Sequence, residues 1–214
     1  EKVHVINNWA TEEINETEKV ITKRIDNKSK TKIDDPPFII SYLGNMGIPQ
    51  EFETLLSAMN DDRIKNLNIE LHLAGHGNQV QKIYDYINKY NLTNVFLYGY
   101  LQNEEFNNLV NKTNVFFLSL KNQLNGLAVP SKFYTYIFSR RPILAVINQS
   151  SDIAKEIEQY NIGLSVSVGD VEGLVNSIID ISTFNYPVND IYYSNFSKEI
   201  QLEKYVELIR KLLR

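Results

Sequence analysis

The amino-acid sequence predicts an α/β protein built on a doubly wound parallel sheet. Short β-prone runs alternate with helix-patterned segments six times between Phe38 and Ile181, at intervals too short for domain breaks. Some runs are apolar throughout, Ile143 to Ile147 most clearly, as in strands covered on both faces. Glycine directly follows three of them, at 44, 75 and 99, where a strand must turn sharply into a helix. Parallel neighbours need crossover connections of helical length, so the pattern implies one sheet with helices on both sides.

The elements follow in order. Val3 to Ile6 is a short β-prone run, and Ala10 to Pro37 is polar, charged and linker-like, with helical spacing from Ile14 to Ile25. Phe38 to Leu43 is a strand broken by Gly44-Asn-Met-Gly47, and Phe52, Leu55, Leu56 and Met59 recur at helical spacing. Ile69 to Leu73 alternates as a strand, Val80 to Tyr90 is helical, and Val95 to Tyr98 is a strand. A short helix over Glu104 to Val110 precedes a strand over Val115 to Leu118.

Pro130 suits a helix start, Ser131 can cap it, and Phe133, Tyr136 and Ile137 lie on one face. Arg140 and Arg141 fall in its last turn and Pro142 ends it. Helices at Asp152 to Glu158 and Val171 to Ile181 flank a strand at Leu164 to Val168, and an amphipathic helix from about Lys198 to Leu213 closes the chain. The expected division is a strand and linker over 1–37, the α/β domain over 38–197 and a terminal helix over 198–214.

Composition narrows the function. At 214 residues, with 43% hydrophobic and 22% charged residues, the chain suits one large domain and not a disordered one. No cysteine is present, which removes disulfides, thiolate catalysis and cysteine metal sites. The net charge of -4 argues against a nucleic-acid binder, and His4, His72 and His76 are too scattered for a metal cluster. No apolar run reaches the roughly 20 residues of a membrane span, and no signal peptide is expected.

In doubly wound sheets ligands sit beyond the carboxyl ends of the strands. That edge collects Gly44–Gly47, Gly75–Gly77, Gly99–Leu101, Leu118–Pro130 and Asn148–Asp152. A dinucleotide fingerprint is absent: Val80 stands where Gly75-x-Gly77 needs its third glycine, and Gly99 follows the next strand where a ribose-binding acid belongs. Lys132, early in a helix that leaves a glycine-bearing loop, is the cation best placed for an anion. Asp152 and Asp170 read as helix N-terminal acids, His76 as an incidental loop residue, and Tyr84, Tyr86, Tyr90 and Phe133 as packing.

In this order and spacing, Ser41-Tyr-Leu-Gly-Asn-Met-Gly47, Leu73-Ala-Gly-His-Gly77, Leu97-Tyr-Gly-Tyr-Leu101, Val129-Pro-Ser-Lys-Phe-Tyr-Thr-Tyr136 and Arg141-Pro-Ile-Leu-Ala145 form a specific set. The chain resembles the C-terminal half of GT-B nucleotide-sugar glycosyltransferases of the retaining group one family, in its capsule and O-antigen branch. Lys2 to Trp9 resembles that family's interdomain strand.

The resemblance implies a Rossmann-like domain that binds a UDP-sugar as substrate, with no metal and no separate cofactor. It implies that Gly44, Asn45, Gly47, Pro130, Ser131 and Lys132 hold the diphosphate, that Gly99, Tyr100 and Leu101 meet the base, and that Thr135 faces the ribose. It further implies an N-terminal partner domain outside this chain, a glycan or lipid-linked acceptor, and a cytoplasmic enzyme at the inner face of the membrane. No catalytic residue is assigned. The two glutamates usual in the family are replaced: the second falls on Thr135 and the first near Asn125 to Leu127. That departure keeps open a second reading, a non-catalytic GT-B partner that stabilises or targets a glycosyltransferase. An epimerase of the same fold would want acids and histidines that the predicted cleft lacks.

Overall fold

In the computed structural model, residues 36–183, 196 and 198–213 are described. The expected strand at Val3 to Ile6 and helix at Ile14 to Ile25 lie outside them. Six strands form one all-parallel sheet: β1 Phe38–Leu43, β2 Ile69–Ala74, β3 Val95–Tyr98, β4 Val115–Ser119, β5 Ile143–Val146 and β6 Gly163–Val166. Their order is β3-β2-β1-β4-β5-β6, so the winding reverses between β1 and β4. That is the doubly wound, Rossmann-like sheet expected.

The helices are α1 Glu53–Met59, α2 Asp62–Lys65, α3 Val80–Tyr90, α4 Asn103–Lys112, α5 Lys132–Phe138, α6 Asp152–Gln159, α7 Val171–Thr183 and α8 Lys198–Leu212. One face of the sheet carries Leu71, Leu73, Val115 and Phe117 against α1, α2, α3 and α7. The other carries Ile39, Phe116, Leu118 and Ala145 against α4, α5 and α6. Alternate residues of one strand thus feed two cores, as a period of two demands.

Several boundaries differ from expectation for local reasons. A separate short helix, α2, follows α1 because the Asp61 side chain accepts the Arg63 amide and restarts the turn. Helix α5 begins only at Lys132. Ser131 is already helical in backbone and its hydroxyl makes no cap, so Pro130 and Ser131 precede the helix. Arg140 and Arg141 lie beyond its end, since Ser139 is the C-cap and Arg140 adopts the left-handed conformation usual just after a helix (φ 55°). Helix α8 buries Gln201 in its first turns but leaves Leu202, Tyr205, Val206, Ile209 and Leu212 exposed. Among the described residues no helix is long and apolar enough to cross a membrane.

Candidate functional site

The site begins where β1 ends. Tyr42 and Leu43 are buried, Gly44 turns the chain at φ 115°, and the loop to Gly47 runs beside the loop after β2. The Gly44 amide donates to Ala74 O at 2.7 Å, and the Met46 amide to His76 O at 2.6 Å. The alternate amides, of Asn45 and Gly47, carry no hydrogen bond among the described residues. A polar chain segment with every second N–H unspent is suited to an anion.

Gly75 and Gly77 have a different reason to be glycine. A Cβ on Gly75 would lie 2.0 Å from Gly44 O, and one on Gly77 would lie 2.4 Å from Met46 O. Both glycines admit the backbone of the neighbouring loop. Gln79, at the start of α3, clamps the same loop: its amide donates to Met46 O at 3.0 Å, and its side-chain Nε2 donates to Gly47 O and to Gln50 O.

Lys132 closes over Gly44 from the other side of the winding reversal. A Cβ on Gly44 would come within 2.9 Å of Lys132 Cε, so the lysine stem lies on the glycine. Its Nζ stands 4.9 Å from the centre of the Tyr42 ring. The ammonium is half-buried, and burial alone pushes its pKa below the usual lysine value. Among the described residues no carboxylate pairs with it.

What sets Lys132 there is Tyr136, one turn further along α5. Its ring is buried and stacked on Phe116 at 4.5 Å. Its hydroxyl accepts the Leu43 amide at 3.1 Å and donates to Leu43 O at 3.4 Å, which ties α5 to the last residue of β1. Burial raises the Tyr136 and Tyr42 pKa values, so both rings stay neutral phenols.

The structure therefore brings Gly44 and Lys132 together, with Asn45 and Gly47 in the same loop as Gly44. Pro130 and Ser131 lead into the same helix, and Thr135 sits exposed on it one turn after Lys132. Gly99, Tyr100 and Leu101 are half-buried at the carboxyl end of β3, two strands away, and a Cβ on Gly99 would meet nothing within 4 Å. Tyr42, Gln79 and Tyr136 are site-building residues that sequence patterns do not reveal, because each acts through a partner distant in the chain or through a backbone atom. Asp170 accepts the Gly173 amide at 2.9 Å, and Asp152 sits in the first turn of α6, as expected of helix-start acids. Beyond β4 and β5 a groove of about 370 Å³ is lined by Leu120, Leu127, Val129, Pro130, Ile147 and Ser151.

The described residues form a doubly wound α/β domain with a glycine loop and a half-buried lysine at its winding reversal, the place where such sheets hold ligands. Residues 23–199 match the family of glycosyl transferases group 1, and the chain belongs to that family. It is 27% identical over 195 residues to a probable glycosyltransferase, WbjE, of Pseudomonas aeruginosa, covering 84% of this chain and 48% of that protein. The chain thus spans about half the length of the curated relative it matches.

Solved structures share the fold. A mutant of TarM from S. aureus, in complex with Fondaparinux, alpha-GlcNAc-glycerol and UDP, aligns with a TM-score of 0.61 at 21% identity, over 83% of this chain and 38% of that one. HepE of Anabaena in complex with UDP aligns at 0.64 and 13% identity, over 82% and 49%.

Proposed function

We propose that this chain is the C-terminal, donor-binding half of a nucleotide-sugar glycosyltransferase that uses a UDP-sugar and acts in bacterial surface polysaccharide synthesis. The observation that carries the reading is the pairing of Lys132 with the Gly44–Gly47 loop. The Lys132 ammonium, without a carboxylate among the described residues, lies over Gly44, in the loop that carries two unspent amides, a combination suited to neutralising a diphosphate leaving group. The likeness to two proteins crystallised with UDP supports the choice of nucleotide.

In this reading Lys132, Asn45 and Gly47 stabilise the charge that grows on the diphosphate as the sugar departs. Pro130 and Ser131 shape the approach to Lys132. Gly99, Tyr100 and Leu101 meet the uracil through their backbone, and the Thr135 hydroxyl faces the ribose. The acceptor, a glycan or a lipid-linked sugar, binds the other half of the enzyme at the inner face of the membrane. These 214 residues alone bind donor and transfer no sugar, because half of the cleft is missing.

Chemical-shift mapping tests this. UDP added to the labelled chain is expected to move the amides of Gly44 to Gly47, Gly99 to Leu101 and Ser131 to Thr135. Shifts confined elsewhere, or none at millimolar UDP, contradict the reading and favour the non-catalytic partner.

A further inference from the structure

Away from Lys132, on the opposite side of β1, three polar side chains form a continuous chain. Glu70 and His72 project from one face of β2 and Tyr98 from the same face of β3, because their positions alternate with the buried Leu71, Leu73 and Leu97. His72 Nε2 lies 2.9 Å from Glu70 Oε2, and the Tyr98 hydroxyl lies 3.0 Å from His72 Nδ1. The imidazole also stacks on the rings of Phe96 at 4.8 Å and Tyr98 at 5.6 Å.

The donors and acceptors fix the direction of the chain. An ionised carboxylate only accepts, so in the tautomer that completes the chain Nε2 carries the proton and donates to Glu70. That leaves Nδ1 as a lone pair, which accepts from the Tyr98 hydroxyl. An apolar residue at 72 would fill the stack but could not hold the hydroxyl. The polar chain therefore adds a fixed position for the Tyr98 ring.

Tyr98 is the last residue of its strand. Immediately beyond it the Gly75 amide is shared between Tyr98 O at 3.3 Å and Gly99 O at 3.1 Å, the final rung that holds the chain as it leaves the sheet. Gly99 itself has open space where a side chain would be, so no Cβ packing sets its backbone. We propose that Glu70, His72 and Tyr98 are positioning residues that set the Gly99–Leu101 backbone for the nucleoside of the donor. This rests on the reading of Gly99–Leu101 as the base-binding segment.

The test uses the 214-residue chain and the variants Tyr98→Phe and His72→Phe, which keep the aromatic stack and break the hydrogen-bond chain. Amide exchange is measured first without ligand. It is expected to rise at Gly75, whose amide donates to Tyr98 O and Gly99 O, by about 3- to 10-fold, the worth of one lost hydrogen bond. Exchange at Leu144 and Ala145 in β5 is expected to stay constant.

Calorimetry then compares UDP with inorganic pyrophosphate, which has no nucleoside. UDP is expected to weaken by a similar factor and pyrophosphate to bind as in the parent. Unchanged exchange at Gly75 overturns the proposal, as does equal weakening of both ligands or exchange that rises across the whole sheet. If the parent chain binds pyrophosphate but no UDP, the base-binding assignment falls and the nucleoside role falls with it. In that case the ligand-free exchange still decides whether the three residues position the segment.

Discussion

Lys132 is where the chemistry and the energetics of single residues meet. An ammonium half-buried without a carboxylate among the described residues is an arrangement that folding alone does not favour, since burial disfavours the charge and the face of Tyr42 offsets that only in part. A bound anion reverses the balance and favours the charged form. The pH dependence follows with a definite sign. Burial holds the pKa of the free lysine below its ordinary value. As pH rises through that depressed value the ammonium discharges, and an anion must then recharge it to bind. UDP affinity should therefore fall with rising alkaline pH, beginning below the range where an ordinary lysine titrates. In Lys132→Arg that alkaline fall should be absent, because a guanidinium does not deprotonate there. Titration calorimetry over an alkaline pH series checks both.

Thr135 offers a second test at this scale. Its side chain is exposed on α5, so a longer one has room. Thr135→Glu replaces a neutral hydroxyl with a carboxylate, and charge-assisted hydrogen bonds are about twice as strong as neutral ones. The variant should bind UDP more tightly than the parent, and the gain should disappear with 2′,3′-dideoxy-UDP. Equal affinity in parent and variant would remove Thr135 from the ribose.

At the scale of elements, the strands and the longer helices were legible in the sequence and the site was legible only in part. β1 and α3 have the predicted bounds because a run buried on both faces, and a period of 3.6, end at a glycine and an asparagine that break them. Helix α5 is shorter than its sequence suggests because Pro130 and Ser131 serve the approach to the helix rather than its first turn. Gly75 and Gly77 look like phosphate-loop glycines and are required instead by the backbone of the neighbouring loop, a contact made across 31 residues that no local pattern carries. Tyr136 reads as one more core aromatic, and its apolar spacing is correct. Its hydroxyl, which ties α5 to β1 across 93 residues, leaves no mark on that spacing.

Tyr136→Phe isolates the tie. The ring stays stacked on Phe116, while the Leu43 amide loses its partner in a buried place. Leaving a buried donor unpaired costs about 1–3 kcal/mol, so denaturant unfolding should show a loss of that size. UDP binding should weaken as well, because α5 then holds Lys132 over Gly44 less firmly. A variant as stable as the parent would show that the stack alone positions the helix.

For the whole molecule, the winding reversal between β1 and β4 explains why residues from separate parts of the chain meet. Strands on either side of a reversal send their following helices to opposite faces, so the loops diverge and leave a crevice between them. Gly44–Gly47 lines one side and Lys132 reaches in from the other. The chain spans about half of its curated relative, and α8 carries an exposed apolar arc away from the sheet. The proposal assigns donor binding to this domain and acceptor binding to the other half of such an enzyme.

The central claim is that Lys132 and the Gly44 loop together hold the donor diphosphate. Calorimetric titration of UDP into the parent chain and into Lys132→Ala tests it most directly. A hydrogen bond to a charged group contributes roughly 1.5–3 kcal/mol, so the variant should bind about 10- to 100-fold more weakly. Identical UDP affinity in the two proteins would contradict the claim, and binding by neither would return the chain to the non-catalytic reading.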